Sequence, residues 1–242
     1  MSHFCVAVIH REDQDVDELL APYDESISVA PYIRKTKEEA IKYARENYPS
    51  CKDKSDEECY KYYADGYDTD EDGNIISTYN PNSKWDWYVI GGRWSGMLKT
   101  VGRETDENGN TIFTDRYVNE ARISDIDFSP DPEEHARAIR EWEVLVEGDE
   151  QNPGEGFYSL YKPEYYLNYY GTKEKYAEAM AAFTTYAVVT PNALWYETAQ
   201  MGWFGMDNST PEGNDDWNKN YKRRFIDKAD PNWIMTIVDC HI

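Results

Sequence analysis

The chain has 242 residues, 40% of them hydrophobic and 15% aromatic, which is enough apolar surface for one large domain or two small ones. Forty-seven acidic against 25 basic residues give a formal charge of −22; that field opposes nucleic-acid backbones, though a local basic pocket can still take a small anion. No run approaches about 18 apolar residues, so no membrane-spanning helix is expected, and the opening residues lack the basic leader and cleavage site of a signal peptide.

Residues 3 to 9 form a continuous apolar run of the length of a buried strand. Thr36, with Glu39 three residues on, signals a capped helix through Arg45. An acidic, turn-rich segment near 64–83 follows, then a candidate strand at Trp87 to Ile90. A second acidic insertion near 102–110 carries the hairpin signal Asn108-Gly109 and leads to a candidate strand at Thr111 to Phe113. Asp131, Pro132 and Glu134 open a helix of about four turns, after which 147–156 reads as a loop. Thr172 caps a third helix running to Phe183. Residues 184–189 and Leu194 to Tyr196 read as a hairpin, Asp215 or Asp216 opens a fourth helix toward Ile226, and 233–238 is a last buried strand.

These elements predict an α+β fold. Residues 1–242 are expected to form a single domain, with a mixed, mainly antiparallel sheet holding both terminal strands and about four helices packed on it. The four cysteines, Cys5, Cys51, Cys59 and Cys240, form no CxxC pair and read as reduced cytoplasmic thiols.

Residues 80 to 96 hold the densest chemistry. Trp85, Trp87 and Trp94 fall within ten residues around Asp86, Tyr88, the pair Gly91-Gly92 and Arg93. Such a mixture is costly to bury unless its polar groups are paired. One reading is core packing, with Arg93 ion-paired to Asp86. The other is an aromatic-walled pocket in which a ring stacks on tryptophan while Arg93 holds a phosphate, with Trp203 in the segment 200–207 on the opposite wall.

Alternation places His3 and Cys5 on one face of the first strand. If the terminal strands are neighbours, His3 and His241 meet at one sheet end, and His241 could move a proton with Asp239 or a second carboxylate orienting it. The plain alternative is that both histidines cap sheet ends. A His/Cys zinc site is conceivable, but no fixed-spacing pair supports a divalent metal, and no cofactor is expected. The segment from Asp68 starts like a calcium loop, yet Tyr79 stands at its twelfth position where a bidentate glutamate is needed, so an acidic turn is the simpler reading. Nucleophile-elbow, zincin, P-loop and dinucleotide motifs are absent, as are the paired His-x-Ser/Thr motifs of two-histidine phosphoesterases.

Taken together, Met1 to Phe4, Leu20 to Tyr23, Asn80 to Gly96, Met201 to Gly205 and Val238 to Ile242 resemble a widespread uncharacterised family of phage and prophage proteins. Its members open on Met-Ser-His-Phe, carry Asn-Pro-x-x-Lys-Trp-Asp-Trp-Tyr-x-Ile-Gly-Gly-Arg-Trp-Ser-Gly and close on Val-Asp-Cys-His-Ile. Cys5, Gln200 and Phe204 depart from the family's usual threonine, glutamate and tryptophan. The resemblance implies a phage accessory protein acting in the host cytoplasm against host defence. Its expected ligand is a small anionic, nucleotide-like molecule, with hydrolysis and sequestration both open. The alternative is an acidic DNA mimic that inhibits a host defence or nucleic-acid enzyme. Partners other than the ligand would be a second copy of the chain or a host defence protein, with no direct nucleic-acid or membrane binding.

Overall fold

The computed structural model describes residues 2–105, 107–202 and 206–242, including all their side chains except those of residues 103 and 104. Strand β1 (His3–His10) is buried along all but its first residue, as a run without polar alternation must be if both faces are covered. Helix α1 (Val16–Leu20) is capped by the Asp15 carboxylate. β2 (Tyr32–Lys35) leads into α2 (Lys37–Asn47), where Thr36 and Glu39 make the expected reciprocal capping box. Ser55 and Glu58 repeat that device at α3 (Asp56–Ala64), which precedes β3 (Ile75–Ser77). β4 (Trp87–Ile90) has the expected bounds. β5 (Leu98–Thr105) and β6 (Thr111–Val118) form a long two-stranded ribbon, and β7 (Glu120–Arg122) follows. Next come α4 (Pro132–Leu145), α5 (Pro163–Tyr169), α6 (Lys173–Ala181), β8 (Ala187–Val189) and β9 (Trp195–Glu197). α7 (Pro211–Tyr221) runs on into a π-turn at Lys222–Ile226, and β10 (Ile234–His241) completes the set.

The fold is α+β, with a six-stranded sheet that holds the first and last strands side by side. The order is β4-β10-β1-β8-β9, and β7 also pairs with β10. All pairs are antiparallel except β1 with β8. One face is sealed by Cys5, Ala7, Ile9, Met235 and Ile237 against Trp217, Tyr221 and Phe225. Fully burying each large apolar side chain contributes about 1.5–3 kcal/mol, and the opposite face adds Phe4, Val6, Val8 and Val238, which are buried as well.

The chain packs into two compact units, residues 1–21 with 85–242, and residues 22–84. The first carries the whole six-stranded sheet. The second holds β2, β3, α2 and α3 around Ala44, Cys51 and Cys59, with Tyr48 and Tyr63 packed against them. Here the calcium-like segment is a turn: Asp70 accepts from the backbone N–H groups of Asp72 and Asn74 and from the Asn74 amide, so both its oxygens are engaged within the turn.

Two helix boundaries differ from expectation. α7 begins at Pro211, not at Asp215, because Thr210 accepts from the Gly213 N–H and Pro211 takes the first helical position. α6 ends at Ala181, because Ala182 turns extended and Phe183 packs edge-on to Phe128 and Tyr221.

Arg140 on α4 organises the loop after it. Its guanidinium grips both oxygens of Glu155, at 2.8 and 3.2 Å, and also reaches Asp149 and the Glu150 carbonyl. This fork, with Asn152, holds the Glu155 carboxyl down at about 2. A carboxyl depressed on folding stabilises fully above its ordinary value near 4.5, and the gain is lost as pH falls from there toward about 2. Glu155→Gln is therefore expected to melt a few degrees below the parent at pH 7, with the gap narrowing below about pH 4.5 and closing only toward pH 2. Melting curves across that range test it, and a gap independent of pH refutes the ion-pair account.

Candidate functional site

The register of three strands builds the site. β1 and β10 pair His3 with His241 and Cys5 with Asp239. β10 and β4 pair His241 with Trp87 and Asp239 with Val89. Directly opposed residues share a face, so Trp87, His241 and His3 form one row across the sheet end, with Asp239 and Cys5 in the next row. The three rings touch: Trp87 stacks on His241 at 5.0 Å, and His3 stands edge-on to both, at 5.4 Å from Trp87 and 5.1 Å from His241.

Each imidazole has its own carboxylate. His3 Nδ1 lies 2.8 Å from Asp239 Oδ1, and His241 Nδ1 lies 2.6 Å from Asp86 Oδ1. An ionised carboxylate only accepts, so both Nδ1 atoms carry the hydrogen and both Nε2 atoms keep the lone pair when the rings are neutral. Asp239 is 2% exposed, and its second oxygen accepts from the Arg93 backbone N–H at 3.0 Å. Asp86 is anchored by its own N–H, which donates to the His241 carbonyl at 3.0 Å. The sequence reading set Asp239, or a second carboxylate, behind His241; Asp239 instead serves His3, and Asp86 is that second carboxylate.

His241 Nε2 is fully buried and makes no hydrogen bond to any described residue, which is unusual for a buried polar atom and leaves the second imidazole as its nearest ring neighbour beside Trp87. His3 borders a cavity of about 370 Å³. Trp94, Tyr169, Tyr170, Tyr186 and Trp217 supply its rings, and Thr184, Asn214 and Asn218 add hydroxyl and amide groups. No Asp, Glu, Lys or Arg is among its described lining residues, although Asp239 stands directly behind His3.

The other expected site residues separate. Trp85 is buried with its indole N–H donating to the Leu20 carbonyl, and Tyr88 packs edge-on to it and bonds Asp17, so these two are structural. Arg93 is exposed, and no carboxylate among the described residues lies within ion-pair distance of its guanidinium, so the Arg93–Asp86 pair of the core-packing reading does not form. Arg93 contributes its backbone N–H to the dyad, and its side chain does not line the cavity. Trp203 lies outside the described residues. Cys5 borders the cavity, but burial, with Asp239 adding to it, pushes its thiol well up, which leaves it a poor nucleophile and metal ligand. Among the described residues no group of three or more His, Cys, Asp or Glu is placed to hold a metal ion.

The far wall of the cavity was not anticipated. Tyr169 and Tyr170 end α5, and Asn214, Trp217 and Asn218 come from α7. The repeat of tyrosine at 161, 165 and 169 is a helical i, i+4 signal that could have announced α5.

No protein-family model, curated protein or solved structure matches this chain.

Proposed function

We propose that the two histidine–aspartate pairs form an acid–base centre that hydrolyses a small, ring-bearing, anionic nucleotide-like ligand held in the cavity beside His3. The observation that carries this reading is the contact between two imidazoles whose Nδ1 atoms are each tied to a carboxylate. That arrangement fixes the tautomer of both imidazoles, His3 bordering the cavity and His241 buried beside it, for the two proton transfers of a phosphodiester cleavage. One imidazole takes the proton of the attacking water as the new P–O bond forms. The other, protonated, gives its proton to the oxygen leaving as the old P–O bond breaks. The pair ends with the two protons exchanged, and contact between the rings provides for the reset.

His3 faces the cavity, so it is the partner nearer the ligand. Trp94 and the tyrosines offer surfaces for a base, at about 1–3 kcal/mol per stacked ring. A phage protein with this site would destroy or capture a host signalling nucleotide. The acidic-decoy reading needs rows of free carboxylates; Glu143, Glu147, Asp149 and Glu155 instead converge on Arg140 and Lys173.

The experiment incubates the pure protein with a panel of linear and cyclic nucleotides and identifies products by mass spectrometry before and after heat denaturation. A cleaved product before heating is the expected result, and His241→Ala is expected to abolish it while ligand still binds. Intact ligand released only on heating turns the reading into sequestration. Binding of no nucleotide refutes it.

A further inference from the structure

A second cavity of about 220 Å³ adjoins the first and shares Tyr169, Tyr170 and Asn218 with it. It lies between α6 and α7. Its floor is Ala179, its ring wall is Tyr169 and Tyr170, and from α6 Lys175 and Glu178 reach into its lining. The charges on the α7 side cancel: Lys219 bonds Asp215 at 2.6 Å. The α6 pair is different. Lys175 and Glu178 sit three residues apart on one helix face, yet no ion pair or side-chain hydrogen bond joins them to each other or to any described residue. The cavity thus presents, three residues apart on one helix, one free donor group and one free acceptor group.

We infer that this cavity is a base subsite that selects guanine, with Glu178 accepting from the ring N–H and exocyclic amine and Lys175 donating to the 6-oxo group. The inference rests on the nucleotide reading above and extends it to the identity of the base. The chemistry discriminates in three ways. Guanine offers two adjacent donors to a carboxylate and an acceptor to an ammonium. In the pose that guanine takes, adenine turns the exocyclic position from acceptor to donor and has no ring N–H, and a rotated adenine gives Glu178 one donor where guanine gives it two. Hypoxanthine keeps the 6-oxo group and one N–H but lacks the amine. Stacking against Tyr169 or Tyr170 holds any of the three bases equally, because every base has a π-face. Asn218, common to both cavities, marks where the sugar passes, which places the phosphate toward His3.

The test measures binding of the 5′-monophosphates of guanosine, inosine and adenosine to the full chain by isothermal calorimetry. GMP is expected to bind about tenfold or more tighter than either of the others. Glu178→Gln removes the preference of GMP over IMP. Lys175→Ala weakens GMP and IMP but leaves AMP unchanged. Both positions are exposed on a helix, so circular dichroism and melting are expected to match the parent. Equal binding of GMP and AMP, a GMP preference that survives both substitutions, or binding of none of the three overturns the base subsite, whatever the turnover measurements give. A GMP preference lost in the variants, with no nucleotide cleaved by the parent, upholds the subsite and refutes hydrolysis instead.

Discussion

On the proposed hydrolysis, Asp239→Asn is expected to lower turnover by about 10³- to 10⁴-fold, the scale known when the carboxylate behind a catalytic histidine becomes an amide. The cause is donor and acceptor arithmetic. Asp239 accepts from two donors, His3 Nδ1 at 2.8 Å and the Arg93 N–H at 3.0 Å. An amide has one oxygen. If that oxygen keeps the Arg93 N–H, the amide nitrogen faces His3 and donates to Nδ1, which drives the ring hydrogen to Nε2 and removes the lone pair that would accept a proton. If the amide flips, the Arg93 N–H is left against an NH₂ group in a site that is 2% exposed, and the turn from residue 91 to 95 loosens. The first outcome disables His3 through its tautomer, and the second keeps the tautomer at the cost of the turn that holds the carboxylate side chain in place. Two measurements check this: kcat/KM on the nucleotide identified in the panel, and the ¹⁵N signature of the His3 tautomer. A folded variant that keeps parent turnover sinks the assignment of Asp239. Asp86→Asn has a milder expected effect, because the Asp86 side chain is 32% exposed and water can replace part of the lost bond.

Several parts of this arrangement were legible in the sequence. Two unbroken apolar runs near the ends announced central strands, and alternation alone put His3 and Cys5 on one face. The capping box at Thr36 and the Asp131-Pro132 start were local signals, and they held because the same residues decide the matter in the fold. The partner of each histidine was a different kind of fact. Which carboxylate meets which ring depends on β4 lying beside β10 in a register that sets Trp87 opposite His241, and nothing within either segment specifies that pairing. The helical wall was harder still. α5 starts at Pro163 with no side-chain cap on Lys162, and it is built from tyrosines that satisfy no simple apolar stripe. Trp85 misled for the opposite reason. Its neighbours made it look like pocket wall, whereas its N–H needed the Leu20 carbonyl and the ring went into the core.

Gly92→Ala is expected to cost about 2–5 kcal/mol of stability and to disable the site at once. Gly92 has φ +51°, a left-handed conformation that costs any residue with a Cβ about 1–2 kcal/mol. A Cβ there would lie 2.4 Å from the Asp239 Cβ and 2.5 Å from Oδ2, contacts that no rotamer change of a residue 2% exposed can relieve. Forcing atoms into a filled site adds about 1–3 kcal/mol. Gly148→Ala is the control, because it shares the positive φ (+82°) but has nothing within 4 Å, and only the backbone cost of about 1 kcal/mol is expected. Urea midpoints of the two variants separate the terms, and equal losses would show that the backbone does not approach Asp239 as described. The neighbouring Gly91 explains why the pair is needed. Its N–H donates to the Ile237 carbonyl at 2.8 Å, and a Cβ at that position would meet the Asn119 amide at 2.5 Å. Asn119 is itself fixed, since its side-chain oxygen accepts from the Gly96 N–H at 2.6 Å and its carbonyl from the Ile237 N–H at 2.8 Å. The chain therefore crosses the edge of β10 between two immovable side chains, Asn119 and Asp239, and it is that passage which brings the Arg93 N–H onto the carboxylate behind His3.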